Sequence, residues 1–263
     1  MIEINLIGGG FQHAYSSTWW KRPKYIEWLK NSNQSNMSFY IDGSILEGTN
    51  DDKLKFGWWI ESEPICNIRT QLMSSKDRLK TKYKYIFTYD KQLLDLDPDF
   101  FKRSICGGWI EDPEIYKKSK LISVIASNKN WTVGHKYRLN TINKYKDKID
   151  VYGRGFKPID KKEEGLKDYM FSFAFENCIQ DDYMSEKVLD CFQTGTIPIY
   201  YGTKNIVNYF NRDGIIFIEE FDINKLTPEL YNSKIKAVQD NFNRSLEYDV
   251  SEDFLYKKYI EKL

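Results

Sequence analysis

Between residues 176 and 187 the sequence gathers polar and charged groups able to hold a ligand: Asn177, Tyr183, Ser185, Glu186 and Lys187, just after Glu176. Ser185 stands where a helix would begin, and its hydroxyl can accept from one of the first-turn amides that have no partner inside the helix. Such a helix start carries partial positive charge and free N–H donors, which suits phosphate. Lys187 falls in that first turn, where the helix dipole disfavours a cation by about 0.3–1 kcal/mol, so an anionic ligand is a reason to keep it there. Glu186 can accept hydrogen bonds from sugar hydroxyls. Alone, Glu186 and Lys187 would be an ordinary surface pair; the order Phe-Glu-Asn-x5-Tyr-x2-Glu-Lys, followed by Gly195-Thr196-Ile197-Pro198-Ile199-Tyr200 and Gly202, sets them apart.

Positioning these groups requires a strand, a loop and a helix. An apolar run from Met170 to Phe175 predicts a strand delivering Glu176 and Asn177 to a sheet edge; helix Ser185 to Thr194 and strand Ile197 to Tyr201 follow. The same alternation predicts strand Leu121 to Ala126, helix His135 to Tyr145, strand Ile149 to Tyr152 and helix Lys162 to Asp168. Helix Asn205 to Phe210 and strand Ile215 to Glu219 come next, then polar helices from Leu226. The charged stretch Lys161 to Glu164 reads as a solvated helix start. Upstream, Ile2 to Ile7 is a strand ending at three glycines, with a helical pattern from Trp19 to Leu29; Ser38 to Ile41, Phe56 to Ile60 and Tyr83 to Thr88 are strands, and Ile65 to Met73 a helix. Around Phe101 to Pro113 the pattern turns irregular, which suits a hinge. The expected organisation is α/β, with two parallel-sheet lobes spanning residues 1–112 and 113–263 and facing a cleft at the carboxyl ends of their sheets.

The bulk properties narrow the partners. A chain of 263 residues exceeds what one core usually fills. With 39 Lys and Arg against 38 Asp and Glu, no global charge favours nucleic acid or a membrane surface. Four cysteines without metal-binding spacing and only two histidines make a zinc site improbable. No apolar run approaches ~18 residues, and no leader pattern is visible, so the expected chain is soluble, cytoplasmic and without a membrane span. Oligomeric state is not legible.

The spacing described above resembles the donor-binding signature of the α-1,3/4-fucosyltransferases, glycosyltransferase family 10. Asp150-Val151-Tyr152-Gly153-Arg154-Gly155 matches that family's strand-and-glycine element, and the resemblance runs from about Ser123 to Phe221. Cys178 stands where the family commonly has Ser, and Ser185 where it has Thr. The resemblance implies a GT-B fold of two Rossmann-like lobes and an inverting transfer of fucose from GDP-β-L-fucose to an acceptor glycan in α-1,3 linkage. It places Asn177, Tyr183, Glu186 and Lys187 on the donor, with Gly153, Arg154 and Ser185 as further candidates. The family also puts an arginine on the first helix of the donor lobe, facing the pyrophosphate. Arg138 is the choice here because guanidinium suits phosphate oxygens, and His135 is the alternative one turn away. Inversion needs one carboxylate base from the acceptor lobe; the strand ending Trp59-Ile60-Glu61-Ser62-Glu63-Pro64 offers Glu61, with Glu63 as runner-up. No cofactor is required; a divalent ion could assist but is not implied. Phe11, His13, Tyr15, Trp19 and Trp20 could stack on the acceptor, although aromatics at such positions are more often core. Two other readings remain open: the same fold acting on another nucleotide sugar, and a non-catalytic glycan- or nucleotide-binding module.

Overall fold

The computed structural model describes residues 1–30 and 32–263. The chain divides into two compact units, Met1–Gly107 with Val250–Leu263, and Gly108–Asp249. In the first, β1 (Ile2–Ile7), β2 (Ile26–Lys30), β3 (Met37–Ile41), β4 (Leu54–Trp58), β5 (Tyr85–Thr88) and β6 (Phe101–Arg103) build one sheet. Its order is β2-β1-β3-β4-β5-β6 and every pairing is parallel. The connections carry α1 (Arg69–Ser74), α2 (Lys76–Lys80) and α3 (Lys91–Leu96).

The second unit repeats the plan. Strands β7 (Lys120–Ile125), β8 (Asp150–Tyr152), β9 (Tyr169–Phe175), β10 (Ile197–Tyr201) and β11 (Ile216–Phe217) run parallel in the order β11-β10-β9-β7-β8. Helices α4 (Val133–Tyr145), α5 (Glu186–Gln193), α6 (Pro228–Ser233) and α7 (Ile235–Ser245) accompany them. Strand β9 is buried along nearly its whole length, as a central parallel strand covered on both faces must be, which is why its sequence is an apolar run rather than an alternation. Ile122, Val124, Phe171, Phe173, Ile197 and Ile199 form the centre of this unit's core.

The structure departs from the sequence reading at several points. The unit boundary follows Gly107, and the closing segment Val250–Leu263, with α8 (Ser251–Leu255), belongs to the first unit rather than the second. Burial explains this: Leu255 and Ile260 complete the apolar cluster of Ile4, Leu6, Phe39 and Phe56, and the buried Glu252 accepts hydrogen bonds from Ser17 N at 2.7 Å and Ser17 Oγ at 3.0 Å. The helix expected over Trp19 to Leu29 does not form. Pro23 supplies no amide to a helix, and Ile26 and Trp28, two residues apart, turn one face of β2 to the core where β2 pairs with β1. The stretch taken as an irregular hinge begins with β6. The helices expected at Lys162 and Asn205 are 3₁₀ turns, Lys162–Gly165 and Lys204–Asn208.

Because Leu255 is fully buried in the first unit's core, Leu255→Ala should lower unfolding stability by about 2–4 kcal/mol, measured by urea denaturation. A loss below the level of a surface substitution would show that the closing segment does not hold this core together.

Candidate functional site

In strand order the second sheet reads second-first-third-fourth-fifth, so the direction of winding reverses between β7 and β9. Open α/β sheets bind ligands outside the carboxyl ends of the strands at such a reversal. Two loops wall that point, residues 126–132 after β7 and residues 176–185 after β9. The start of α4, just past the first loop, meets the second loop backbone to backbone: Gly134 N donates to Asn177 O at 3.0 Å. A Cβ on Gly134 would lie 2.0 Å from Glu176 O, so only glycine lets the start of α4 seat there.

The start of α5 is held by a partly buried charge network. Ser185 caps the helix, its Oγ accepting from Lys187 N, and donates to Glu176 Oε2 at 2.5 Å while its backbone N–H donates to Glu176 Oε1 at 2.8 Å. Lys187 Nζ donates to Ser185 Oγ at 2.9 Å and lies 3.3 Å from Glu186 and 3.8 Å from Glu176. Lys162 reaches across to Glu186 at 3.3 Å and Asp190 at 2.7 Å. Lys162 is therefore not a solvated surface charge as the sequence suggested; it is a half-buried bridge, and neither it nor Asp190 carried a local signal. Burial pushes the carboxyls of Glu176 and Asp190 up, whereas for Glu186 burial is outweighed by Lys162 and Lys187, which bring it down to about 2. Tyr183 is buried in the loop that these contacts close, just after Asp182 with φ 58°.

Helix α4 brings His135 and Arg138 to the same place. His135 is buried, its Nδ1 accepting from Thr132 N at 3.4 Å in a capping box. Burial, then the charge of Arg138, lowers its pKa to about 4, against a hydrogen bond to the Asn177 side chain that raises it. The imidazole is thus neutral near pH 7. Arg138 is also buried, and its Nη2 donates to the carbonyls of Ser127 at 2.8 Å and Lys129 at 3.2 Å. Its guanidinium braces the β7 loop, while Nε is buried with no hydrogen-bond partner among the described residues. Gly153, at φ 104°, has its α-carbon against the β7 loop, where a Cβ would sit 2.2 Å from Ala126 O; Arg154 is exposed.

In the first unit, Glu61 is exposed beyond the carboxyl end of β4. Its backbone N–H donates to Asp42 Oδ1 at 3.1 Å, as does that of Ile60 at 2.8 Å, and its carbonyl accepts from Tyr89 Oη at 2.8 Å. Asp42 went unread in the sequence. Glu63 lies 3.2 Å from Arg69, which also pairs with Asp90 at 2.8 Å. Of the aromatics after β1, Phe11 packs in the core, whereas Tyr15 and Trp20 are exposed. Among the described residues, no cluster of three or more His, Cys, Asp and Glu is placed to hold a metal ion, and no helix is long and apolar enough to cross a membrane.

Two parallel α/β units of this kind, the second with a capped helix start at its winding reversal, are the architecture of a GT-B type glycosyltransferase fold. Solved structures bear out the architecture. A crystal structure of an α1,3-fucosyltransferase superposes with a TM-score of 0.52 at 18% identity, covering 94% of this chain and 79% of that one. A crystal structure of an α1,3-fucosyltransferase with GDP-fucose gives 0.50 at 15% identity, covering 94% and 80%. Mouse 4-galactosyl-N-acetylglucosaminide 3-alpha-L-fucosyltransferase 9 is 29% identical over 142 residues, which is 51% of this chain but 38% of the mouse protein. The family model "Glycosyltransferase family 10 (fucosyltransferase) C-term" matches residues 115–258. The chain belongs to glycosyltransferase family 10.

Two consequences can be measured. Gly134→Ala should cost about 1–3 kcal/mol of stability, because the added methyl must push α4 away from Asn177; a thermal midpoint equal to wild type would refute the close docking. Glu186 has a folded pKa of about 2 against an ordinary 4.5, so its contribution to stability is present above pH 4.5 and lost as pH falls toward 2. The stability advantage of wild type over Glu186→Gln should shrink by about 3 kcal/mol between roughly pH 5 and pH 2. Parallel acid-unfolding curves for the two proteins would contradict the pairing.

Proposed function

We propose that the chain transfers L-fucose from GDP-β-L-fucose to a hydroxyl of an acceptor glycan, forming an α-1,3 linkage with inversion at the anomeric carbon. The observation that carries this reading is the capped start of α5 with Ser185, Glu186 and Lys187 beside Asn177 at the winding reversal, inside the segment that the family model matches. The names of the mouse relative and of the solved structure with GDP-fucose point to the same donor and linkage.

In this mechanism the diphosphate lies against the first turns of α4 and α5. The partial positive charge of the two helix starts and Lys187, with Arg138 behind the β7 loop, offset the charge that grows on the leaving group. Neutral His135 stays a hydrogen-bonding group and adds no charge. Asn177, Tyr183 and Glu186 orient the donor, Glu186 accepting from fucose hydroxyls. Glu61 takes the proton from the acceptor hydroxyl as that oxygen bonds to the anomeric carbon, and the electron pair of the breaking C–O bond leaves with GDP. The scheme calls for no cofactor.

The test is an acceptor-array assay with GDP-fucose, read by mass spectrometry for addition of a deoxyhexose. Glu61→Gln should bind GDP as wild type does while losing transfer by at least about 100-fold, and Lys187→Ala should weaken GDP binding by roughly tenfold or more. Normal turnover by Glu61→Gln would remove Glu61 from the mechanism, and turnover with other nucleotide sugars but none with GDP-fucose would overturn the donor.

A further inference from the structure

The loop after β7 presents an aromatic ring that the scheme above leaves idle. Trp131 is 68% exposed, unusual for so large an apolar side chain. It immediately precedes Thr132, the buried N-cap of α4, whose Oγ accepts from His135 N at 3.1 Å. Its ring stands edge-on to His135 with centroids 6.4 Å apart, and Lys129 Nζ sits 5.0 Å from its ring centroid. The loop beneath is braced, since Arg138 Nη2 holds the carbonyls of both Ser127 and Lys129. An indole held on a braced loop and left open to solvent is a stacking platform.

We propose that Trp131 and Lys129 form the base-recognition corner of the second unit, the indole stacking on a guanine ring and the ammonium donating to that base's acceptor edge. The inference rests on the nucleoside-diphosphate reading above and adds to it the group that selects the base. Trp131 is two residues, at most about 7 Å of chain, from the first amide of α4, so a diphosphate at the helix start and a base on the indole fit one ligand. A flat purine matches an indole face over its full area. Guanine offers two neighbouring acceptors, O6 and N7, where adenine sets an amino donor beside its N7, so an ammonium at that edge favours guanine.

Calorimetric titration of the whole chain with GDP, ADP and inorganic pyrophosphate tests this. Trp131→Ala should weaken GDP and ADP by on the order of tenfold and leave pyrophosphate unchanged, while Trp131→Phe keeps most of the affinity. Lys129→Met should reduce the preference for GDP over ADP by roughly fivefold. Unchanged GDP affinity in Trp131→Ala overturns the corner alone, as does equal weakening of GDP and pyrophosphate, which would mark a merely structural residue. A higher KM for the acceptor at unchanged GDP affinity would assign the indole to the glycan and likewise overturn it. Wild-type protein that binds neither GDP nor pyrophosphate would sink the nucleotide reading itself, and this inference with it.

Discussion

Glu176 has no exposure to solvent, and the geometry of the second unit's site depends on how that carboxylate is satisfied. An isolated buried carboxylate costs several kcal/mol, so it must be hydrogen-bonded, paired or protonated. Here both oxygens are used on one residue, Ser185, through its backbone N–H and its hydroxyl. Because Glu176 follows the last residue of β9 and Ser185 caps α5, this closes the loop that carries Asn177 and Tyr183. It also orients the cap. The serine hydroxyl spends its only proton on Glu176, leaving its lone pairs for Lys187 N and Nζ. One buried acid thus sets the helix start and the lysine together.

The same network limits how the site can meet an anion. Three carboxylates, Glu176, Glu186 and Asp190, share two ammonium groups, Lys162 and Lys187. The shortfall is met by backbone donors, Ser185 N on Glu176 and Trp109 N on Asp190 at 2.6 Å. Lys187 is accordingly not a spare charge, and a phosphate drawing on it competes with Glu186. Glu186 is the partner able to yield, since Lys162 stays within 3.3 Å of it. A lysine released from one carboxylate without leaving that carboxylate unpaired is a cheap exchange, whereas removing the partner of a singly paired buried charge is costly. Lys162, read in the sequence as a solvated helix start, is what makes the exchange feasible.

What the sequence made legible was local. The strand-loop-helix holding Asn177 to Lys187, the N-cap at Ser185 and the alternation of strands and helices in the second unit all follow from apolar runs and capping chemistry over a few residues. What it hid was long-range. Lys162 acts across 24 and 28 positions of sequence on Glu186 and Asp190, and Glu252 reaches 235 positions back to Ser17, which no period or spacing announces. Arg138 lies on α4, but its direction depends on the carbonyls of Ser127 and Lys129, set by the fold of a loop without a pattern. The misread helix at Trp19 shows the reverse failure: the apolar spacing there was real, but Pro23 and pairing with β1 made it the approach to a strand.

The first unit, like the second, has a winding reversal with a carboxylate beside it. Its sheet order changes direction between β1 and β3, and Asp42 stands immediately after β3 with φ 52°, a conformation that costs a non-glycine residue of order 1 kcal/mol or more. The strain is sustained because Asp42 Oδ1 takes the amides of both Ile60 and Glu61, fixing the backbone that bears Glu61 just past β4. Burial raises the Asp42 carboxyl to about 6, against those two amide bonds that lower it, so it still accepts as a carboxylate near neutral pH. An exposed glutamate side chain gains direction only from a fixed backbone, and here a neighbouring strained aspartate supplies it.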